Sequence, residues 1–169
     1  TLSLTSAANS IGGDIYFAGT LDFNPASAAA YDNTIVGAGT ITKTGTSTLN
    51  LTGPVLVGDT GSSYGGSGGA NDGHFTVSGG TVNLTNAVTI SGNLTVNSGG
   101  TANFTGPTNV GGAVVVNAGG TLQWSSPYSA AGYMLRSIAV GSSGAAPAIA
   151  TISVPVGSTL RIPAEPHSI

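Results

Sequence analysis

The sequence predicts an all-β fold, a single-stranded parallel β-helix (a β-solenoid) built from short coils of equal length. Three observations lead to this prediction. Residues 78–97 and 98–117 align without a gap and are identical at 9 of 20 positions. Each unit contains short runs in which apolar and polar side chains alternate, as in strands with one buried face. Gly, Asn and Ser separate the runs, so that each unit holds three strands and three corners of one coil.

A Thr-apolar-polar-apolar signature predicts which residues face the core. Apolar residues follow a Thr at the first and third positions, with a polar residue between them. Equivalent residues that stack at the interstrand spacing of ~4.8 Å would form two continuous apolar columns. The predicted core ladder comprises Leu21, Phe23, Leu49, Leu51, Val82, Leu84, Ala102, Phe104, Leu122, Trp124, Leu160 and Ile162.

The polar residues between these apolar pairs are predicted to face outward in a ladder that includes Asp22 and several asparagines. Four asparagines stand in Asn-x-Thr triplets, which would be glycosylation acceptors in a suitable secretory pathway. Stacked asparagines at equivalent positions can instead form side-chain amide ladders, and this interpretation is favoured. The four are Asn50, Asn83, Asn93 and Asn103.

The whole chain, residues 1–169, is predicted to be one β-helix domain of six to seven coils. Residues 58–73 form a Gly-rich insertion loop, residues 125–137 a protrusion, and residues 163–169 a Pro-containing tail. A further excursion is expected at residues 25–33. Because solenoids place recognition surfaces on insertions at one kind of corner, aromatic and Met residues there are candidate contacts. These are Tyr64, Tyr128, Tyr133 and Met134.

The composition excludes several classes of function. Only three basic and six acidic residues occur among 169, so the chain cannot neutralise a run of phosphates and no nucleic-acid partner is expected. The apolar runs are too short to span a bilayer, which predicts no transmembrane segment. The chain has no cysteine. Abundant Gly, Ser, Thr and Asn with so little charge favours an extracellular or bacterial cell-surface protein.

No pattern predicts catalytic residues, a cofactor or a metal ion. The six acidic residues do not fall on matched positions of adjacent coils, where a catalytic carboxylate pair would be expected. Residues 65–72 resemble a Ca²⁺-binding nonapeptide, but Ala70 stands where the carboxylate should be, which favours a plain loop. His74 and His167 have no partners at ligand spacing, so they are expected to be surface or corner residues.

Residues 37–53 read GAGTITKTGTSTLNLTG and resemble the autotransporter-associated β-strand repeat of bacterial surface passenger regions. Ile41 and Ser47 depart from the typical pattern conservatively. The resemblance implies a right-handed parallel β-helix, usually without catalytic residues in the repeat. The matching residues are Gly37, Gly39, Thr40, Thr42, Lys43, Gly45, Thr48, Leu49, Leu51 and Gly53.

These inferences predict a non-enzymatic structural segment: a β-helical stalk, an adhesin scaffold or a self-assembling fibre subunit. The alternative is a carbohydrate-binding or polysaccharide-cleaving β-helix domain, because such enzymes share the fold. The expected partner is a second copy of the chain or further coils of a longer parent. A polysaccharide or a host surface is a further candidate. Residues 1–5 alternate without charge or Pro, so this edge strand is predicted to be covered.

Overall fold

The computed structural model describes residues 1–5, 12–58, 73–124, 135–140 and 151–153; for Trp124 and the last two ranges it describes only the backbone. The described residues form β-strands and no helix. In chain order the strands are β1 (Leu2–Leu4), β2 (Ile15–Phe23), β3 (Ala29–Tyr31), β4 (Ile35–Lys43), β5 (Thr48–Leu51), β6 (Val55–Val57), β7 (His74–Val77), β8 (Gly80–Leu84), β9 (Val88–Ile90), β10 (Leu94–Val96), β11 (Gly100–Phe104), β12 (Thr108–Val116), β13 (Thr121–Trp124), β14 (Leu135–Val140) and β15 (Thr151–Ser153).

All strand pairings among the described residues are parallel, and they join each coil to the next. Coil 4 shows the three faces of the solenoid: β9 lies on face 1, β10 on face 2 and β11 on face 3. Faces 1 and 2 belong to one nine-stranded sheet, since β2, β4 and β12 run through both faces. Face 3 is a six-stranded sheet ordered β15, β13, β11, β8, β5 and β3.

The predicted parallel β-helix and its regular repeat are confirmed. Coils 1 to 5 begin at residues that pair in register, and only the step from coil 3 to coil 4, which contains the insertion, exceeds the repeat interval. Strand β1 adds a rung before coil 1, and β14 and β15 add one after coil 5. The described residues therefore form about five complete turns, with a partial rung at each end. The coils begin at Ile15, Ile35, Val55, Val88 and Thr108.

The face-3 residues of the predicted core ladder are buried and in register. Leu49 pairs with Val82, which pairs with Ala102, which pairs with Leu122, and all are at most 2% exposed. The second column runs through Leu51, Leu84 and Phe104 to the backbone position of Trp124.

The placement of Leu21 and Phe23 in the same ladder is wrong. Both are buried, but they lie on face 2, where Leu21 pairs with Ile41 and Phe23 with Lys43. The face-3 columns begin instead at Ala29 and Tyr31. Because faces 2 and 3 bury their alternate residues in the same core, both carry the Thr-apolar-polar-apolar signature.

Two predicted departures also need correction. The excursion expected at residues 25–33 contains β3, which stacks in register on β5. Of the protrusion expected at residues 125–137, the last three residues lie in β14, and the others lie outside the described residues. The coil after β13 returns to face 3 at Thr151, which pairs with Thr121, so this coil is longer than the regular repeat. The predicted ladder members Leu160 and Ile162 and the tail at residues 163–169 lie outside the described residues.

The insertion at residues 58–73 leaves and re-enters the coil at one point, the corner between faces 1 and 2. Gly58 donates to the Gly37 carbonyl, and Gly73 accepts from Gly92, so both ends keep inter-coil hydrogen bonds. A Cβ placed on Gly73 would lie 2.2 Å from the Gly58 nitrogen. These two glycines fill the two corner positions between Val57 and His74, as residues 38–39 do in coil 2.

Candidate functional site

The four predicted contact residues, Tyr64, Tyr128, Tyr133 and Met134, lie outside the residues that the structure describes. The same holds for the calcium-like stretch at residues 65–72. The described residues offer two other features: surface polar side chains that repeat from coil to coil, and the buried Lys43.

Asparagine side chains form hydrogen-bonded ladders along the solenoid axis. On face 3, Asn83 Nδ2 donates to Asn50 Oδ1 at 2.7 Å, and Asn103 Nδ2 donates to Asn83 Oδ1 at 3.4 Å. A second amide pair lies in the corner after face 2, where Asn117 Nδ2 donates to Asn97 Oδ1 at 2.7 Å. The predicted amide ladder is confirmed for Asn50, Asn83 and Asn103, whose side chains join three coils, whereas Asn93 bonds to the backbone of Ala113 instead.

Asp22 does not belong to that ladder, since it lies on face 2 opposite Ser3 and Thr42. Its Oδ1 accepts hydrogen bonds from the Thr42 hydroxyl at 2.8 Å and the Thr44 hydroxyl at 3.0 Å, and its Oδ2 accepts from Ser3 at 3.3 Å. The carboxylate thus ties together β1, β2 and coil 2. Its donors are hydroxyl groups of neighbouring rungs.

A second carboxylate links coils 1 and 2 where face 1 begins. Asp14 Oδ1 accepts from the Thr34 backbone N–H at 2.9 Å, and its Oδ2 accepts from the Tyr16 hydroxyl at 3.4 Å. Nearby, the buried Tyr31 hydroxyl donates to the Gly13 carbonyl. Burial is the main cause that raises the pKa of Tyr31, and the charges of Asp14 and Asp32 raise it further. The phenol is consequently held as a hydrogen-bond donor.

His74 is the first residue of β7 and is partly exposed, in agreement with the surface position predicted for it. Its Nδ1 accepts from the Asn93 backbone N–H at 3.0 Å, and Asn93 Oδ1 in turn accepts from the Ala113 N–H at 2.9 Å. The described ranges contain no group of three or more His, Cys, Asp or Glu residues that could hold a metal ion. They also contain no helix with the length and apolar character needed to cross a membrane.

Lys43 is a buried residue that the sequence analysis did not single out. It is 0% exposed and lies in an inward column of face 2 between Phe23 and Val77. Its Nζ donates to the backbone carbonyls of Thr44, of Gly45 at 3.2 Å and of Gly79 at 3.3 Å.

Burial lowers the pKa of the Lys43 ammonium, and the charge of Asp22 acts in the opposite direction. The regular repeat could have revealed the position, because it aligns Lys43 with the inward Phe23 of the preceding coil.

Comparison of the chain with protein-family models, curated proteins and solved structures finds no match. The resemblance of residues 37–53 to the autotransporter-associated repeat therefore stays a prediction. Within the described residues, most of the side chains with assigned hydrogen bonds connect one coil to the next. The arrangement is chemically suited to holding a stack of coils in register.

Proposed function

We propose that this chain is a non-enzymatic structural segment of an extracellular or cell-surface protein, serving as a β-helical stalk or adhesin scaffold. One observation carries the proposal: residues on the outside of the solenoid, like those in the core, stack on their equivalents in the next coil. The Asn50–Asn83–Asn103 ladder shows this on face 3. Such a surface reinforces the rod along its axis.

A stack of this kind is suited to setting a distance. Each coil advances the chain by about 4.8 Å, the spacing of neighbouring strands. The inward residues of adjacent coils are interchangeable in character, since Val82, Ala102 and Leu122 occupy one column. The number of coils then determines the length of the segment.

The proposed location rests on composition and on the resemblance to bacterial passenger repeats. A chain with three basic and six acidic residues, no cysteine and many Gly, Ser, Thr and Asn residues is typical of surface-exposed repeat proteins. Its expected partners are further coils of the same kind or a second copy. We propose that such a rung covers β1: Leu2 is 49% exposed, whereas Leu21, on which it stacks, is 0% exposed. An open strand edge of this kind is a template for another strand.

Cell-surface exposure is the first test. An antibody raised against the chain should label intact cells of the source organism as strongly as permeabilised cells. Brief treatment of intact cells with a protease should remove the signal. Labelling that appears only after permeabilisation would contradict the proposed location.

The second test removes one coil. Excising residues 78–97 joins Val77 to Ser98 and places Phe104 of β11 on Leu51 of β5. We expect a cooperatively folding rod that small-angle X-ray scattering finds shorter by about 5 Å. The matched control excises residues 78–87, which removes only the face-3 strand of coil 3 and should prevent folding. Equal behaviour of the two deletions would refute coil modularity.

Incubation with polysaccharides separates this proposal from a carbohydrate-active domain. The chain should not release new reducing or unsaturated ends from neutral or acidic polysaccharides. It should also not be retained on insoluble polysaccharides beyond the level of an unrelated β-rich protein. Either activity would overturn the structural assignment.

A further inference from the structure

The corner between faces 2 and 3 changes length beside Lys43. The corner is bounded by residues that pair in register from coil 2 to coil 5, so its length can be compared between coils. Face 2 ends at Lys43, Val77, Val96 and Val116, and face 3 begins at Thr48, Thr81, Thr101 and Thr121. The corner has four residues in coils 2, 4 and 5 but three in coil 3. The four-residue corners are 44–47, 97–100 and 117–120, and the three-residue corner is 78–80.

The short corner packs directly against the corner of coil 2. Gly80 has φ +63°, and a Cβ there would lie 2.4 Å from the Ser47 carbonyl oxygen. A Cβ on Gly79 would lie 2.9 Å from the Gly45 carbonyl oxygen. The glycine backbone of the coil 3 corner therefore lies directly against backbone carbonyls of the coil 2 corner.

A corner with one residue fewer lacks one backbone N–H donor and one backbone C=O acceptor. The longer corners of coils 4 and 5 each contain an internal backbone hydrogen bond. The Gly100 N–H donates to the Asn97 carbonyl at 3.0 Å, and the Gly120 N–H donates to the Asn117 carbonyl at 2.8 Å. At the junction of coils 2 and 3, the carbonyls of Gly45 and Gly79 accept hydrogen bonds from Lys43 Nζ. An ammonium group supplies three N–H donors from one side chain.

We propose that Lys43 is a positioning residue that joins the short corner of coil 3 to the longer corner of coil 2, its ammonium donating to backbone carbonyls of both corners. The other members of its column are apolar, such as Phe23, Val77 and Val96. Burying an amine among them is unfavourable unless its donors are satisfied. The three carbonyls satisfy them at this corner.

This role bears on the coil that carries the insertion. Strand β7 follows the insertion at Gly73 and ends at the short corner, so it is held at its start by the inter-coil bond of Gly73 and beyond its end by Lys43. Lys43 thus sets the position of β7, the strand into which the insertion leads.

A double-mutant cycle tests the proposal. Lys43→Val gives the side chain that the same column has at Val77 and Val96, and it should lower the urea midpoint. Inserting one Asn between Val77 and Ser78 gives coil 3 the four-residue corner of coil 4. In that longer-corner chain, the midpoint drop caused by Lys43→Val should fall to half or less. An equal drop in both backgrounds would overturn the proposal.

The design remains decisive if Lys43→Val does not fold. The chain with both changes should then recover a cooperative transition, and its failure to do so would overturn the proposal. The control inserts one Asn between Val116 and Asn117, away from Lys43, and should leave the effect of Lys43→Val unchanged.

Hydrogen exchange gives an independent readout. In Lys43→Met, a substitution of similar length, amide protection should fall at residues 75–77 more than at residues 94–96, one coil further away. Equal loss of protection in the two strands would contradict a positioning role at coil 3.

Discussion

The alternating residues of β8 allow a strict test of which side chains face the core. Leu84 is 1% exposed and stacks between Leu51 and Phe104. Leu84→Asp removes an apolar side chain whose burial contributes about 1.5–3 kcal/mol. It also buries a carboxylate, which costs several kcal/mol. Together these losses approach the whole stability of a typical domain, about 5–15 kcal/mol. We therefore expect an unfolded chain in the absence of denaturant.

The matched control makes the same change one residue earlier. Asn83 faces outward, and Asn83→Asp removes the hydrogen bond from Nδ2 to Asn50 Oδ1 at 2.7 Å. Such a bond contributes about 0.5–1.5 kcal/mol, so the variant should fold with a modestly lower urea midpoint. Far-UV circular dichroism during a urea titration measures both variants. Similar midpoints for Leu84→Asp and Asn83→Asp would refute the assigned facing.

Deleting residues 59–72 should leave a folded chain, because the two ends of the insertion are already in contact; loss of cooperative thermal unfolding would show that the insertion belongs to the fold. The raised pKa of Tyr31 means that the unfolded chain loses this proton first above pH 10, so stability should fall as pH rises further. Tyr31→Phe should reduce that fall in urea titrations, and an unchanged slope would contradict the shift. The open edge at β1 predicts self-association, measured by light scattering over a concentration series. A strictly monomeric chain with rapid hydrogen exchange at Leu2 and Leu4 would argue against it.

The face-3 core could be predicted from the sequence because its signals are local. The alternation that points Leu49, Leu84 and Phe104 inward has a period of two, and the longer repeat stacks equivalent residues of successive coils. Neither signal distinguishes face 2 from face 3. For this reason the Thr-apolar-polar-apolar signature places Leu21 and Phe23 in the wrong column. The expected excursion at residues 25–33 likewise missed β3, which stacks on β5.

The sequence by itself determined the coil length, the inward alternation and the amide ladders, since each depends on residues that recur at a fixed interval along the chain. The tertiary structure alone decided the corner at coil 3. Lys43 can lie in the core because it meets the carbonyl of Gly79, 36 residues away, and that carbonyl comes within reach only when coil 3 stacks on coil 2. The other two acceptors, the carbonyls of Thr44 and Gly45, are close in sequence, but no local pattern specifies the one that comes from another coil.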